Sequence, residues 1–199
     1  MTDRTVFVDA NILVYAKQTS ECVKQPLAAE WIRRLDTTGR GCTSMQVMNE
    51  CYTVLTRKLR PGLQRAAAWR YVSKFFEWKP CAVDLNVVLR AKEIEQRYGL
   101  NWWDCLIVAA AQLQNCTVLL TEDLDEQGVY GGVQVCNPFR LAMCDDDHPM
   151  AEVAMIAAAI TWAERTRPAP SIRPQRRTSP FRPRGTCVPW ARSASGGIH

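Results

Sequence analysis

Val6-Phe7-Val8-Asp9-Ala10-Asn11-Ile12-Leu13-Val14-Tyr15 lies near the amino terminus of the 199-residue chain. Three apolar residues ending on an acid read as a short buried strand, and Asn11 to Lys17 reads as the start of a helix. A buried strand feeding directly into a helix is how an α/β fold begins.

The rest of the chain continues the alternation. Leu27, Trp31 and Leu35 recur every four residues, which predicts an amphipathic helix that stops near Gly39 and Gly41, followed by a brief strand at Cys42 and Thr43. Ser44 is an N-cap for a helix striped by Met48, Tyr52, Leu55 and Leu59; Pro61-Gly62 ends it and opens a second helix, Leu63 to Trp78. Pro80 to Val83 reads as a strand, Asp84 as the cap of a helix ending at Gly99, and Asn101 as the cap of Trp102 to Leu113. Thr117 to Leu120 and Val133 to Cys136 complete the strands. Strands alternating with helices predict a largely parallel sheet covered on both faces, with ligands beyond the carboxyl ends of the strands.

The formal net charge of +5 is unevenly spread. Residues 1–150 carry 17 Lys and Arg against 18 Asp and Glu, whereas residues 151–199 carry 8 Arg against 2 Glu. Six of the eleven prolines fall between Pro168 and Pro189, mixed with Arg, Ser and Gly, and hydrophobic periodicity disappears there. The expected organisation is one domain over residues 1–146 and an Arg/Pro-rich, disordered tail over 147–199, with an Ala-rich helix at 151–165. The apolar run Val153 to Ala163 is well short of the ~20 residues that span a bilayer. No membrane association is expected, and the amino terminus lacks the pattern of a secretory signal.

Nine cysteines, several inside apolar runs, predict free thiols in a reducing cytoplasm. With no CxxC pair and only His148 and His199, a zinc site or a histidine-based catalyst has no ligands to build on.

Four acids stand out, each with a structural alternative. Asp9 ends the first strand, and it could equally cap the helix after it. Glu50 interrupts an otherwise inward-looking helical stripe, where an ionised carboxylate needs a partner, unless it snorkels from the helix flank. Asp104 lies three residues after Asn101, as in a capping box. A helix amino terminus also favours the ionised form that a hard cation requires. Asp123 follows the Val118–Thr121 strand, but local pattern does not choose between it and Glu122, Asp125 or Glu126. Carboxylates gathered at one sheet edge repel one another and raise each other's pKa unless a cation compensates them. An all-oxygen set suits Mg²⁺ or Mn²⁺, and such ions turn water into a nucleophile for in-line phosphodiester hydrolysis. Among basic residues, Arg57, Lys58, Arg60 and Arg65 around the helical hairpin turn read either as phosphate contacts or as a solvated turn. Trp69, Phe75, Phe76 and Trp78 read as core or subunit interface.

Four stretches occur in order: Val6 to Ala16, Ser44 to Glu50, Trp103 to Ala111, and Leu120 to Leu124. Together they resemble the PIN-domain family, and within it the VapC toxins of bacterial toxin–antitoxin pairs, over residues 4–143. The resemblance implies a three-layer α/β/α fold and a Mg²⁺- or Mn²⁺-dependent endoribonuclease. It places the four family acids at Asp9, Glu50, Asp104 and Asp123, selecting Asp123 over its neighbours. Asp9 and Asp104 are then the principal metal ligands, with Asn11 and Thr121 orienting them. It further implies an RNA substrate, a cognate antitoxin protein and a toxin homodimer. The tail has no counterpart in that family; it is either an accidental extension or an arm for non-specific phosphate binding. The competing reading is a catalytically silent PIN-like module that binds RNA or protein. A phosphatase with an aspartyl nucleophile is disfavoured, because Asn11 stands where its second acid would be.

Overall fold

The computed structural model describes residues 5–140. The expected helix at 151–165, the disordered tail and the domain boundary at 146 lie outside the described residues.

Strand β1 (Thr5–Val8) runs into helix α1 (Ala10–Tyr15), then α2 (Lys24–Thr38) and β2 (Gly41–Cys42). Helices α3 (Met45–Thr53), α4 (Arg65–Val72), α5 (Leu85–Tyr98) and α6 (Trp102–Leu113) precede β3 (Cys116–Leu120), β4 (Val129–Tyr130) and β5 (Val133–Cys136). The sheet order is β2-β1-β3-β5-β4. All pairings are parallel except β4 with β5. Successive side chains of a strand point to opposite faces, yet Val6, Phe7 and Val8 are all buried. Both faces at the centre of the sheet are therefore covered, as a parallel sheet requires. Trp31 of α2, Met48 of α3 and Val108 of α6 are among the fully buried side chains around it.

The cap signals are realised. Ser44 Oγ accepts from the Val47 amide at 3.3 Å, and Asp84 Oδ1 accepts from the Val87 amide at 3.0 Å. Gly39 and Gly99 end α2 and α5 in the left-handed conformation, at φ 64 and 68, where a Cβ would be strained.

Three expectations are corrected. Pro80 to Val83 is not a strand: only Cys81 pairs, in a single bridge to Ser44. Ser44 is already turning into α3, so no further ladder partner exists. The Ser44 helix passes into a π-helical turn at Val54–Lys58. There the Leu59 amide reaches back to the Val54 carbonyl at 3.2 Å. The expected helix Leu63 to Trp78 begins at Arg65 and tightens to a 3₁₀ segment over Ser73–Trp78. A 3₁₀ turn eclipses positions i and i+3, which brings the Phe75 and Trp78 rings together with centroids 4.9 Å apart. The two-residue strand β4 was not expected; it is a short hairpin arm, and the Gly131-Gly132 pair that turns it was the available signal.

The direction of travel reverses at β1. The chain leaves it toward β2 and returns on its other side as β3, so the loops after β1 and β3 diverge and open a crevice at the carboxyl edge of the sheet.

Candidate active site

Asp9 sits where β1 meets α1 and is buried, at 5% exposure. Its amide donates to the Leu120 carbonyl at 3.1 Å, so the carboxyl group is held at the β1–β3 crevice. Oδ1 accepts from the Ala10 amide at 2.6 Å, which makes Asp9 the cap of α1. Oδ2 accepts from Thr121 Oγ1 at 2.7 Å and from Asn11 Nδ2 at 3.3 Å. The structural alternative for Asp9 is thus satisfied by one oxygen, while the other faces a polar network.

Thr121 is the centre of that network. Its hydroxyl donates to Asp9 and accepts from Asn11 Nδ2 at 3.0 Å and from the Asp123 amide at 3.2 Å, filling its one donor and two acceptor positions. Asn11 Nδ2 also reaches Asp123 Oδ2 at 3.0 Å. Asn11 and Thr121, on different elements, therefore tie the carboxylates of Asp9 and Asp123 together.

The loop acids sort themselves by partner. Glu122 turns away, accepting from the Tyr15 hydroxyl at 2.5 Å and pairing with Lys24 at 2.6 Å. Glu126 pairs with Arg140 at 3.2 Å. Asp123, though exposed, lines the cavity, and its Oδ2 accepts from Asn11. Asp104 is held at the start of α6 by a reciprocal cap: Asn101 Oδ1 accepts from the Trp103 and Asp104 amides at 3.0 and 3.1 Å, and the Asn101 amide group donates to the Asp104 carboxylate. Glu50 departs from expectation. It is exposed on α3 rather than inward in a stripe, because the buried face of that helix runs through Val47, Met48 and Cys51.

All four acids line one cavity of ≈ 950 Å³. Burial pushes the Asp9 carboxyl up to about 7, against the hydrogen bonds from Thr121 and Ala10 and with the charges of Asp123 and Glu50 adding to the rise. Asp104 is raised by burial first, then by Asp123 and Glu50. Acids drawn from β1, α3, α6 and the β3 loop thus feel one another across a shared space. The buried Asn11 Oδ1 has no hydrogen-bond partner beside them. Among the described residues no three acidic, His or Cys side chains close into a ready-made ligand cluster. Even so, an oxygen-only, mutually repelling donor set with a spare buried carbonyl fits a hard divalent cation, which would relieve the charge that burial penalises.

Sequence reading left Lys58 open and overlooked Trp103. Lys58 lines the cavity at the end of the π turn, in the series Glu50, Val54, Lys58, whereas Arg57, Arg60 and Arg65 are absent from its walls. That four-residue spacing was the available signal. Trp103 lines it beside Asp104.

This α/β chain has a counterpart among known families. Residues 6–131 match the PIN domain, and the chain belongs to that family. PIN domains are generally nucleases, that is, hydrolases. Among solved structures, PAE2754 from Pyrobaculum aerophilum is similar at 18% identity over 78% of this chain and 98% of its own, with a TM-score of 0.49. VapC20 of Mycobacterium tuberculosis, described as a sarcin-ricin loop cleaving toxin, is similar at 18% identity over 73% of this chain and 100% of its own, with a TM-score of 0.45. No curated protein matches the sequence.

Proposed function

We propose that this PIN-domain protein is a Mg²⁺- or Mn²⁺-dependent endoribonuclease of the VapC type, the toxic member of a cytoplasmic toxin–antitoxin pair. One observation carries the reading: Asp9, Glu50, Asp104 and Asp123, from four separate parts of the chain, line a single cavity at the carboxyl edge of the sheet. The four ordered sequence stretches that resemble VapC toxins are the segments that supply these acids and their network.

In this reading Asp9 and Asp104 hold the cation, and Glu50 and Asp123 complete the charge around it. A divalent ion there would supply a nucleophile from water at neutral pH and neutralise charge developing on the leaving oxygen. Thr121 and Asn11 keep the Asp9 and Asp123 carboxylates oriented, and Lys58 offsets the acidity toward an incoming phosphate. A cognate antitoxin that covers the cavity and a homodimer belong to the same proposal.

Purified protein is incubated with total RNA in Mn²⁺ or in EDTA, alongside folded Asp9→Ala and Asp104→Ala variants. Cleavage is expected in Mn²⁺ only, with losses of at least about a hundredfold in either variant. Cleavage that persists in EDTA or in both variants would sink the proposal. RNA retention without cleavage under any divalent ion would favour a catalytically silent binding module.

A further inference from the structure

Trp103 is 66% exposed, second only to Leu85 among the large hydrophobic side chains of the described residues. An indole left in water contributes little to stability, since the stabilisation of an apolar side chain comes from area removed from solvent. Trp69, the other exposed tryptophan among the described residues, is occupied: its ring packs edge-on against Phe76 at 5.7 Å and Tyr52 at 6.3 Å. Trp103 has no aromatic partner among the described residues.

Its backbone is nevertheless held firmly. Trp103 lies in the first turn of α6, its amide donating to the Asn101 cap and its carbonyl accepting from Gln46 Nε2 at 3.2 Å. The ring is thus an exposed apolar face on a rigid mount, in the wall of the acid-lined cavity, with Met45 and Val83 as apolar neighbours in the same wall. Trp103 and the four acids line the same cavity. A base on the indole and a phosphate at the carboxylates would therefore belong to one bound strand. Lys58, reaching the cavity from the other helical arm, supplies the positive charge for a flanking phosphate.

We propose that Trp103 is a stacking platform that seats an unpaired nucleobase beside the acid cluster. The proposal rests on the nuclease reading for the identity of the nucleic acid. A base inside a helix has both faces already stacked, whereas an unpaired base offers one to an aromatic side chain, so a single strand is the probe for the indole. Trp103 acts here as a positioning residue: it fixes where the backbone crosses the acids and leaves the chemistry to them.

The test compares wild type, Trp103→Ala, Trp103→Phe and, as a control, Trp69→Ala, each checked by thermal melting. Fluorescence anisotropy follows a short labelled single-stranded RNA of mixed sequence, and the same strand annealed to its complement, in EDTA; cleavage kinetics follow in Mn²⁺. Loss of one stacked base predicts about 5- to 150-fold weaker single-strand binding by Trp103→Ala, seen as a raised KM with kcat little changed. Trp103→Phe is expected to stay within about threefold and Trp69→Ala to match wild type. The proposal is overturned if Trp103→Ala binds as wild type does, if wild type prefers the duplex or binds neither form, or if Trp103→Ala alters self-association instead of RNA affinity. Absence of cleavage by wild type in Mn²⁺ would remove the nuclease reading, while the anisotropy result would still decide Trp103.

Discussion

At the residue scale, the buried Asp9 carries the clearest physical signature. Its carboxyl titrates at about 7 in the fold against 3.8 in the unfolded chain. Between those values the folded protein binds more protons than the unfolded one, so the metal-free protein loses stability as pH rises from about 4 to about 7, by a few kcal/mol in order of magnitude. Asp9→Asn keeps a good cap for α1 and removes the titration. Thermal melts in EDTA are expected to fall with pH across this window for wild type and to be flatter for Asp9→Asn. Adding Mn²⁺ near neutral pH is expected to restore wild type far more than the variant. A wild-type melting temperature that does not fall across that window, or that Mn²⁺ leaves unmoved, would contradict the assignment. At the same scale, Lys24 and Arg140 hold Glu122 and Glu126, two of the acids that the local pattern leaves level with Asp123. Those partners lie 98 and 14 residues from the acids they hold, so neither local pattern nor propensity announces the outcome.

Among the elements, the helix starts were legible because a cap is a local hydrogen bond between a side chain and the next turn. Ser44 and Asn101 both proved to be caps, but only Asn101 also holds an acid of the cavity. Replacing either by Ala should cost about 1 kcal/mol of stability. The two should differ in function: Asn101→Ala is expected to raise the Mn²⁺ concentration needed for half-maximal cleavage by loosening Asp104, and Ser44→Ala to leave it unchanged. Metal titrations of the two variants at matched stability check this, and equal behaviour would show that the Asn101 contact merely builds the helix. What escaped sequence reading were irregularities set by packing. The π turn at Val54–Lys58 shifts the phase of the Ser44 helix, and the 3₁₀ segment sets Phe75 edge-on to Trp78. The Pro80 to Val83 strand failed because its would-be partner had already become a helix.

For the whole molecule, the described residues hold no helix long and apolar enough to cross a membrane, and the described cysteines are free thiols. The basicity lies in the eight arginines beyond residue 150, past the stretch that matches the PIN domain. If these residues form a phosphate-binding arm, truncation after Cys144 should weaken RNA binding and flatten its salt dependence. The logarithmic slope should shrink by about 0.7 for each phosphate of a single strand that the arm had neutralised. Unchanged affinity and slope in the truncated protein would make them an extension without a part in RNA binding. By itself the sequence determined the alternation of strands and helices and the caps, because periodicity and capping act over a turn or two of chain, whereas the set of four acids came from the resemblance to the PIN-domain family. Only the tertiary structure decided that β1 lies between β2 and β3. That order opens the crevice, and the fold brings Asp123 and Glu50 to the cavity wall and leaves Trp103 exposed there. Such placements depend on contacts between residues up to 112 apart, and no local pattern encodes them.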